Sequence, residues 1–246
     1  MYSLTKQWLF NKDAETAHDL VSNWLQKFGR LPIAPSLLQS FTEVQHPRLE
    51  QTLFHLTFRN PIGLAAGMDK TGQRLPAWQA FGFGFLEAGG FTYKPQPGNP
   101  KPRMFRLEKD RAIINRMGFN NPGAEQGARN LARVKPRLNV PLFINMGKGK
   151  DTPLEEAPKE YADILECLWP YGDAFVINVS SPNTLNLRAL QGKEFFEHVV
   201  EAVQARAHRM PLRRGQEPKA ILVKIAPDLS DAELDDVISV GRKRRI

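Results

Sequence analysis

The chain has 246 residues, 41% hydrophobic and 24% charged, proportions that exclude a disordered polymer or a collagen-like repeat and fit one large or two small folded domains. No apolar run reaches the roughly 18–20 uncharged residues of a spanning helix, no signal-peptide pattern opens the chain, and the single cysteine, Cys167, can form no internal disulfide. A reducing, cytosolic setting is therefore expected. The formal charge is +8, but Arg242, Lys243, Arg244 and Arg245 supply four of those charges at the end of the chain, which argues against a nucleic-acid-binding face.

Residues 1–30 carry Trp8, Leu9, Leu20, Val21, Trp24, Leu25 and Phe28 at three- and four-residue spacings. This predicts two short amphipathic helices, with Asp13 as the N-cap of the second. Gly29, Pro32 and Pro35 then punctuate the chain, and a linker is expected to about residue 51. Two uses of the helices are open: a cap packed on the main domain, or a platform that lays Trp and Phe beside Lys and Arg on a membrane surface.

From residue 51 onward, short apolar runs alternate with amphipathic stretches, as in βα units around a parallel sheet. An opening strand or hairpin is predicted at 53–58, then strands at 62–66, 85–88, 142–146, 175–179 and 221–225. Helices are expected near 75–81, 124–134, 154–168, 194–208 and 231–240. Polar groups recur at the downstream strand ends: Asp69 and Lys70, Asn145, Asn178 with Ser181, and Lys224. Barrel enzymes place their chemistry there. Gly82 and Gly84 precede a strand and open no helix, so the dinucleotide fingerprint is missing after the first strand. The expected fold is therefore α/β, a (β/α)8 barrel of the TIM type, with residues 1–50 as a helical extension and 51–246 as the barrel. A full barrel takes about 250 residues, and about five of its eight strand-helix units are visible here, so the barrel is expected to be incomplete and to break off in the basic segment 241–246.

Four segments carry candidate chemistry. Asn60-Pro-Ile-Gly-Leu-Ala-Ala-Gly-Met-Asp-Lys70 ends a strand in small residues, which lets backbone approach a flat ligand, or simply packs tightly. Asn115-Arg-Met-Gly-Phe-Asn-Asn-Pro-Gly123 concentrates amides that offer a donor and an acceptor side by side, matching a heterocycle edge; its last residues also suit a turn. Asn178-Val-Ser-Ser-Pro-Asn183 follows a buried strand without the Gly-x-Ser-x-Gly elbow of acyl transfer. Lys224 interrupts an apolar strand, and a buried ammonium needs an anionic partner or ligand. Lysines, asparagines and a serine suit a planar, partly anionic ligand better than a metal, and no His/carboxylate cluster suggests one.

Seven ordered segments together resemble the quinone-dependent, membrane-associated class of dihydroorotate dehydrogenases, over residues 13–233. They are Asp13-Ala-Glu-Thr-Ala-His18, Gly63-Leu-Ala-Ala-Gly-Met-Asp-Lys70, Pro95-Gln-Pro-Gly-Asn99, Lys101-Pro-Arg-Met-Phe-Arg106, Asn115-Arg-Met-Gly-Phe-Asn-Asn121, Asn178-Val-Ser-Ser-Pro-Asn-Thr184 and Val223-Lys-Ile-Ala-Pro-Asp228. The resemblance implies FMN at the carboxyl ends of the barrel strands and oxidation of dihydroorotate to orotate in pyrimidine synthesis, with electrons passed to a membrane quinone. It implies Ser181 as the catalytic base. Flavin contacts would be Ala66, Gly67, Met68, Asp69, Lys70, Gly90, Asn145, Asn178 and Lys224. Substrate contacts would be Lys70, Asn115, Arg116, Met117, Gly118, Phe119, Asn178 and Asn183. His18 and Arg106 would be polar groups of a quinone tunnel beside helices that touch the cytoplasmic face of the cell membrane. Serine at 181, where soluble relatives carry cysteine, and the N-terminal helices both favour the quinone class.

Two departures from the family pattern stand out: Gly90 replaces a threonine that touches the flavin, and the last three strands, with the amides that hold the FMN phosphate, have no counterpart. Two other functions stay open at this point, a non-catalytic remnant that binds a membrane or protein partner and a related flavin barrel acting on another pyrimidine.

Overall fold

The computed structural model describes residues 2–180, 192–212 and 217–246. Helices α1 (Tyr2–Phe10), α2 (Ala14–Arg30) and α3 (Ala34–Thr42) come first. Asp13 caps α2 as expected, its Oδ1 accepting from the backbone N–H groups of Glu15 and Thr16 at 3.0 Å each. The expected linker contains α3, because Pro35 lies in the first turn of that helix, where its missing N–H has no partner to lose. A hairpin of β1 (Gln51–Leu53) and β2 (Leu56–Phe58) follows, then β3 (Gly63–Leu64), α4 (Leu75–Gln79) and β4 (Phe85–Phe91). A second hairpin, β5 (Met104–Leu107) with β6 (Ala112–Asn115), was not expected from sequence. Its strands are short and largely exposed, so no buried face imposes a period-two pattern. The remaining elements are α5 (Gly123–Val134), β7 (Leu142–Met146), α6 (Ala157–Leu168), β8 (Ala174–Asn178), α7 (Lys193–Arg209), β9 (Ala220–Lys224) and α8 (Asp231–Arg244).

Strands β3, β4, β7, β8 and β9 form one five-stranded sheet in chain order, and every pairing is parallel. A doubly wound sheet reverses its strand order at a switch point; a barrel winds one way only. This is the one-way winding. Period-two alternation then sorts the side chains. Leu86, Ala88, Leu142, Ile144, Met146, Phe175 and Ile177 face outward and pack on Leu131, Tyr161, Ile164, Leu165, Val199, Val200 and Val203 of the surrounding helices. Phe85, Phe143, Ala174, Val176, Ala220 and Leu222 face inward, where Leu56 and Phe58 of the β2 strand pack against them. The Phe58 ring meets Phe85 and Phe143 edge-on, with centroids 5.6 and 6.1 Å apart. Apolar side chains thus plug the inner face at the amino ends of the strands. The next inward positions toward the carboxyl ends are Glu87, Asn145, Asn178 and Lys224.

Strands β7 and β8 are buried throughout, whereas edge strand β9 is partly exposed along its length. Helix α8 runs through the basic segment to Arg244 and lies on α7, where Lys243 and Arg244 pair with Glu197 and Arg244 also reaches Glu201. These acids offset the charge excess that the sequence places at this end.

Candidate active site

The inward-facing polar side chains form one hydrogen-bonded row across the carboxyl ends of the strands. The Glu87 carboxylate accepts from the Ala66 backbone N–H at 3.1 Å and from Asn145 Nδ2 at 2.7 Å. Asn145 Oδ1 accepts from Asn178 Nδ2 at 3.0 Å. Asn178 Oδ1 accepts from the N–H and hydroxyl of Ser180 at 3.1 and 2.8 Å, and Lys224 Nζ donates to Ser180 Oγ at 2.9 Å. The Tyr161 hydroxyl, kept protonated by complete burial, donates to the Asn178 carbonyl at 2.8 Å and fixes the strand terminus from behind.

Above this row lies a cavity of about 600 Å3. Among the residues expected to bind cofactor, Ala66, Gly67, Met68, Lys70, Gly90, Asn178 and Lys224 line it; among those expected to bind substrate, Asn115, Met117, Gly118 and Phe119 do. Lys70 Nζ donates to Asn120 Oδ1 at 2.7 Å, and burial, with Arg103 nearby, brings its pKa down to about 8. Phe119 adopts φ of 52°, a left-handed conformation that its loop must hold in place. Asn121 does so: its Nδ2 donates to the Phe119 carbonyl at 2.6 Å, while its Oδ1 accepts from the N–H groups of Thr92 and Gly123 at 3.2 and 2.9 Å. The Phe119 ring then lies against Gly90. A Cβ at Gly90 would stand 2.6 Å from this ring and 2.8 Å from Asn145 Oδ1, so the space beside Gly90 is taken by Phe119.

The opposite wall comes from the N-terminal helices, with Leu9, Phe10, Ala14, Ala17, His18 and Val21. Arg106 holds their corner, donating to the carbonyls of Leu9, Phe10 and Lys12 while its guanidinium lies over the Phe10 ring. Burial lowers the pKa of His18 below the usual histidine value. Glu15 and Arg103 bind helix α2 to the loop before β5 through a buried pair, Nη2 to Oε1 at 2.8 Å and Nε to both carboxylate oxygens at 3.1 Å.

Three expected contacts sit elsewhere. Asp69 is fully buried beneath the cavity, and its carboxylate is occupied by the N–H groups of Thr71, Gly72, Gln73 and Arg74. Arg116 points out along β5, donating to the Pro102 carbonyl and stacking over Phe105. Asn145 lies behind Asn178 with no exposed surface. Ser181 and Asn183 lie outside the described residues. Glu87 and the Glu15–Arg103 pair were not singled out from sequence, and Asn120 and Asn121 were read there only within the amide-rich segment 115–123, with a turn as the other reading. A signal existed for Glu87, a carboxylate inside the apolar run 85–88 comparable to Lys224 in its own run.

A one-way parallel sheet, apolar at the amino ends and lined with lysines and amides at the carboxyl ends, defines the class: a (β/α)-barrel enzyme scaffold with a cavity above its strands. The family model for dihydroorotate dehydrogenase matches residues 48–246. The chain belongs to that family. It is 47% identical to a dihydroorotate dehydrogenase (quinone) of Thermus thermophilus over 98% of its own length and 67% of the relative's. For the enzyme of the same name from Christiangramia forsetii the values are 46%, 99% and 69%. Among solved structures it is similar to DHODH from Eimeria tenella, crystallised with ferulenol, with a TM-score of 0.82 at 36% identity over 95% of this chain and 65% of that one. The ligand-free form gives 0.83 and 37%, over 95% and 67%. The chain thus spans about two thirds of the length of the relatives it matches.

Proposed function

We propose that this chain carries the dihydroorotate-oxidising site of its family, with FMN as the first electron acceptor and a quinone as the second. One observation carries the reading: most of the residues expected to meet cofactor, substrate and quinone, drawn from segments spread between positions 18 and 224, line a single cavity. The donor set fits a flavin ring. Gly67 and Gly90 give it a flat approach, a Cβ at Gly67 would project into open space, and Asn178 and Lys224 present N–H donors at its edge. When bound, FMN would supply two-electron acceptor chemistry between the substrate and a quinone.

The chain's own groups do the rest. Lys224 places positive charge where negative charge builds on reduction. Lys70 and Asn115 hold an anionic heterocycle, and Phe119 covers it against water. Ser181, adjacent in sequence to Ser180, takes the proton from the neighbouring substrate carbon. His18 and Arg106 stand at the apolar end beside Leu9 and Val21, where a quinone enters.

Residues 1–50 form the quinone-access unit, and 51–246 the FMN-binding unit. Among the described residues no helix is long and apolar enough to cross a membrane. Trp24 of α2 and Phe41 of α3 are nonetheless 79% and 80% exposed, with Trp8 of α1, Ile33 at the N-cap of α3 and Leu37 of α3 also at the surface. This supports peripheral attachment to the cytoplasmic face of the cell membrane. Co-sedimentation with anionic vesicles should be lost in W24S/F41S; unchanged sedimentation would refute the attachment.

The activity test is the visible spectrum of the purified chain after loading with FMN and desalting, recorded without oxygen before and after dihydroorotate is added. Bleaching of retained flavin is expected, and replacing Ser181 by alanine should slow it strongly. Retained flavin that bleaches with dihydrouracil and not with dihydroorotate would overturn the substrate assignment.

A further inference from the structure

The row at the strand ends has an unusual property: its two termini are groups of fixed hydrogen-bonding sign. A lysine ammonium only donates, and an ionised carboxylate only accepts. Between Lys224 and Glu87 lie one hydroxyl and two amides; the Ser180 backbone N–H also holds Asn178 Oδ1, whereas the Asn145 amide is turned by its two row partners, Asn178 and Glu87. The Lys224 ammonium donates to Ser180 Oγ, which leaves the serine hydroxyl to donate to Asn178 Oδ1. That sets Asn178 with its Nδ2 toward Asn145, and Glu87 holds Asn145 with its Nδ2 the opposite way, toward the carboxylate. Every donor in the row therefore points from Lys224 toward Glu87.

We propose that Glu87 is a positioning residue that sets the direction of the Asn145 and Asn178 amides, and thereby which atoms of Asn178 and Lys224 are left to meet a ligand in the cavity. Glu87 does not itself line the cavity. It acts through Asn145, which has no exposed surface and passes the orientation on. Glutamine at 87 has the same shape but one acceptor oxygen for two donors, the Ala66 N–H and Asn145 Nδ2. Its own amide N–H groups would face the Asn145 donor. With its oxygen kept on the Ala66 N–H, the introduced amide forces Asn145 to turn over and oppose Asn178. The packing is untouched; only the sign of the hydrogen bonds changes.

The ligand arm of the test rests on the FMN reading above, and the other arm does not. In the ligand-free chain carrying 15N-asparagine, the side-chain amide signals of Asn145 and Asn178 should shift in E87Q while the backbone spectrum stays that of the folded wild type. The pair E87Q/N145D should return the Asn178 signal, because a carboxylate at position 145 accepts both from the amide introduced at position 87 and from Asn178. With FMN, fluorescence titration should give roughly tenfold or weaker binding for E87Q, the scale of one lost hydrogen bond to a charged group. It should also give an altered flavin absorbance band, and the double variant should recover both.

Unmoved asparagine signals in folded E87Q would overturn the proposal, as would shifted signals with unchanged FMN affinity and spectrum. Should E87Q fail to fold, an Asn178 signal in the double variant that differs from wild type would overturn it. Wild-type chain that takes up no FMN, but whose asparagine signals respond to E87Q and are restored by N145D, would refute the cofactor reading and leave the Glu87 assignment standing.

Discussion

Replacing Glu15 by glutamine removes the charge that binds helix α2 to the barrel. Glu15 and Arg103 are only 5% and 8% exposed, so neither finds water when its partner is lost. Arg103 keeps its Nη1 contacts to the carbonyls of Pro97 and Asn99, at 2.6 and 2.9 Å, which hold the guanidinium in place beside a neutral amide. Breaking a buried pair on one side costs about 3–5 kcal/mol. The retained carbonyl contacts and the surviving amide oxygen favour the lower end. At about 2.1 cal/mol/K of unfolding entropy per residue, a loss of about 3 kcal/mol lowers Tm by about 6 °C in a chain of this size. The Arg103 hydrogen bonds hold the Glu15 carboxyl below its ordinary value of 4.5. Its folded pKa is thus depressed, so its contribution is full above the unfolded value and disappears as the pH falls through the folded one. Urea denaturation should show E15Q much weaker than wild type at pH 7, with the gap beginning to close only below pH 4.5 and vanishing as the pH falls through the lowered folded value. A double-mutant cycle with R103M gives the coupling directly. A coupling below about 1 kcal/mol, the range of exposed pairs, would refute the buried-clamp reasoning.

Two further outcomes follow from the site. With its folded pKa at about 8 against 10.5 unfolded, Lys70 makes the ligand-free chain gain stability as the pH rises between those values, because the unfolded state then binds more protons. Denaturation profiles of wild type and K70M should diverge over that interval, orotate affinity should fall above pH 8 in wild type, and parallel profiles would refute the burial of this ammonium. Substituting threonine at Gly90 puts a Cβ 2.6 Å from the Phe119 ring. Overpacking of this kind costs roughly 1–3 kcal/mol, so G90T should melt lower and show shifted Phe119 ring resonances; an unshifted ring would show that the space is already open.

The barrel strands, and most of the polar residues at their carboxyl ends, were legible in the local pattern of the chain. Apolar runs broken by one polar residue, as at Asn145, Asn178 and Lys224, fix a sheet with one wet end, since alternation within a buried strand leaves each side chain a single face. Capping by Asp13 was legible for the same local reason. Helix α3 was not, because the prolines that suggested a linker serve equally well in a first helical turn. The β5–β6 hairpin was hidden because exposed strands carry no burial pattern.

Other features were decided only when the chain folded. Asp69 and Lys70 are neighbours in sequence, yet one is buried beneath the loop it caps and the other lines the cavity. Glu15 meets Arg103 across 88 positions, and Lys70 meets Asn120 across 50. Glu87 gains its meaning from two strands it does not belong to. Pattern along a chain records which face a residue takes, whereas a hydrogen-bond partner is set by which strands become neighbours, and that is a property of the assembled sheet alone.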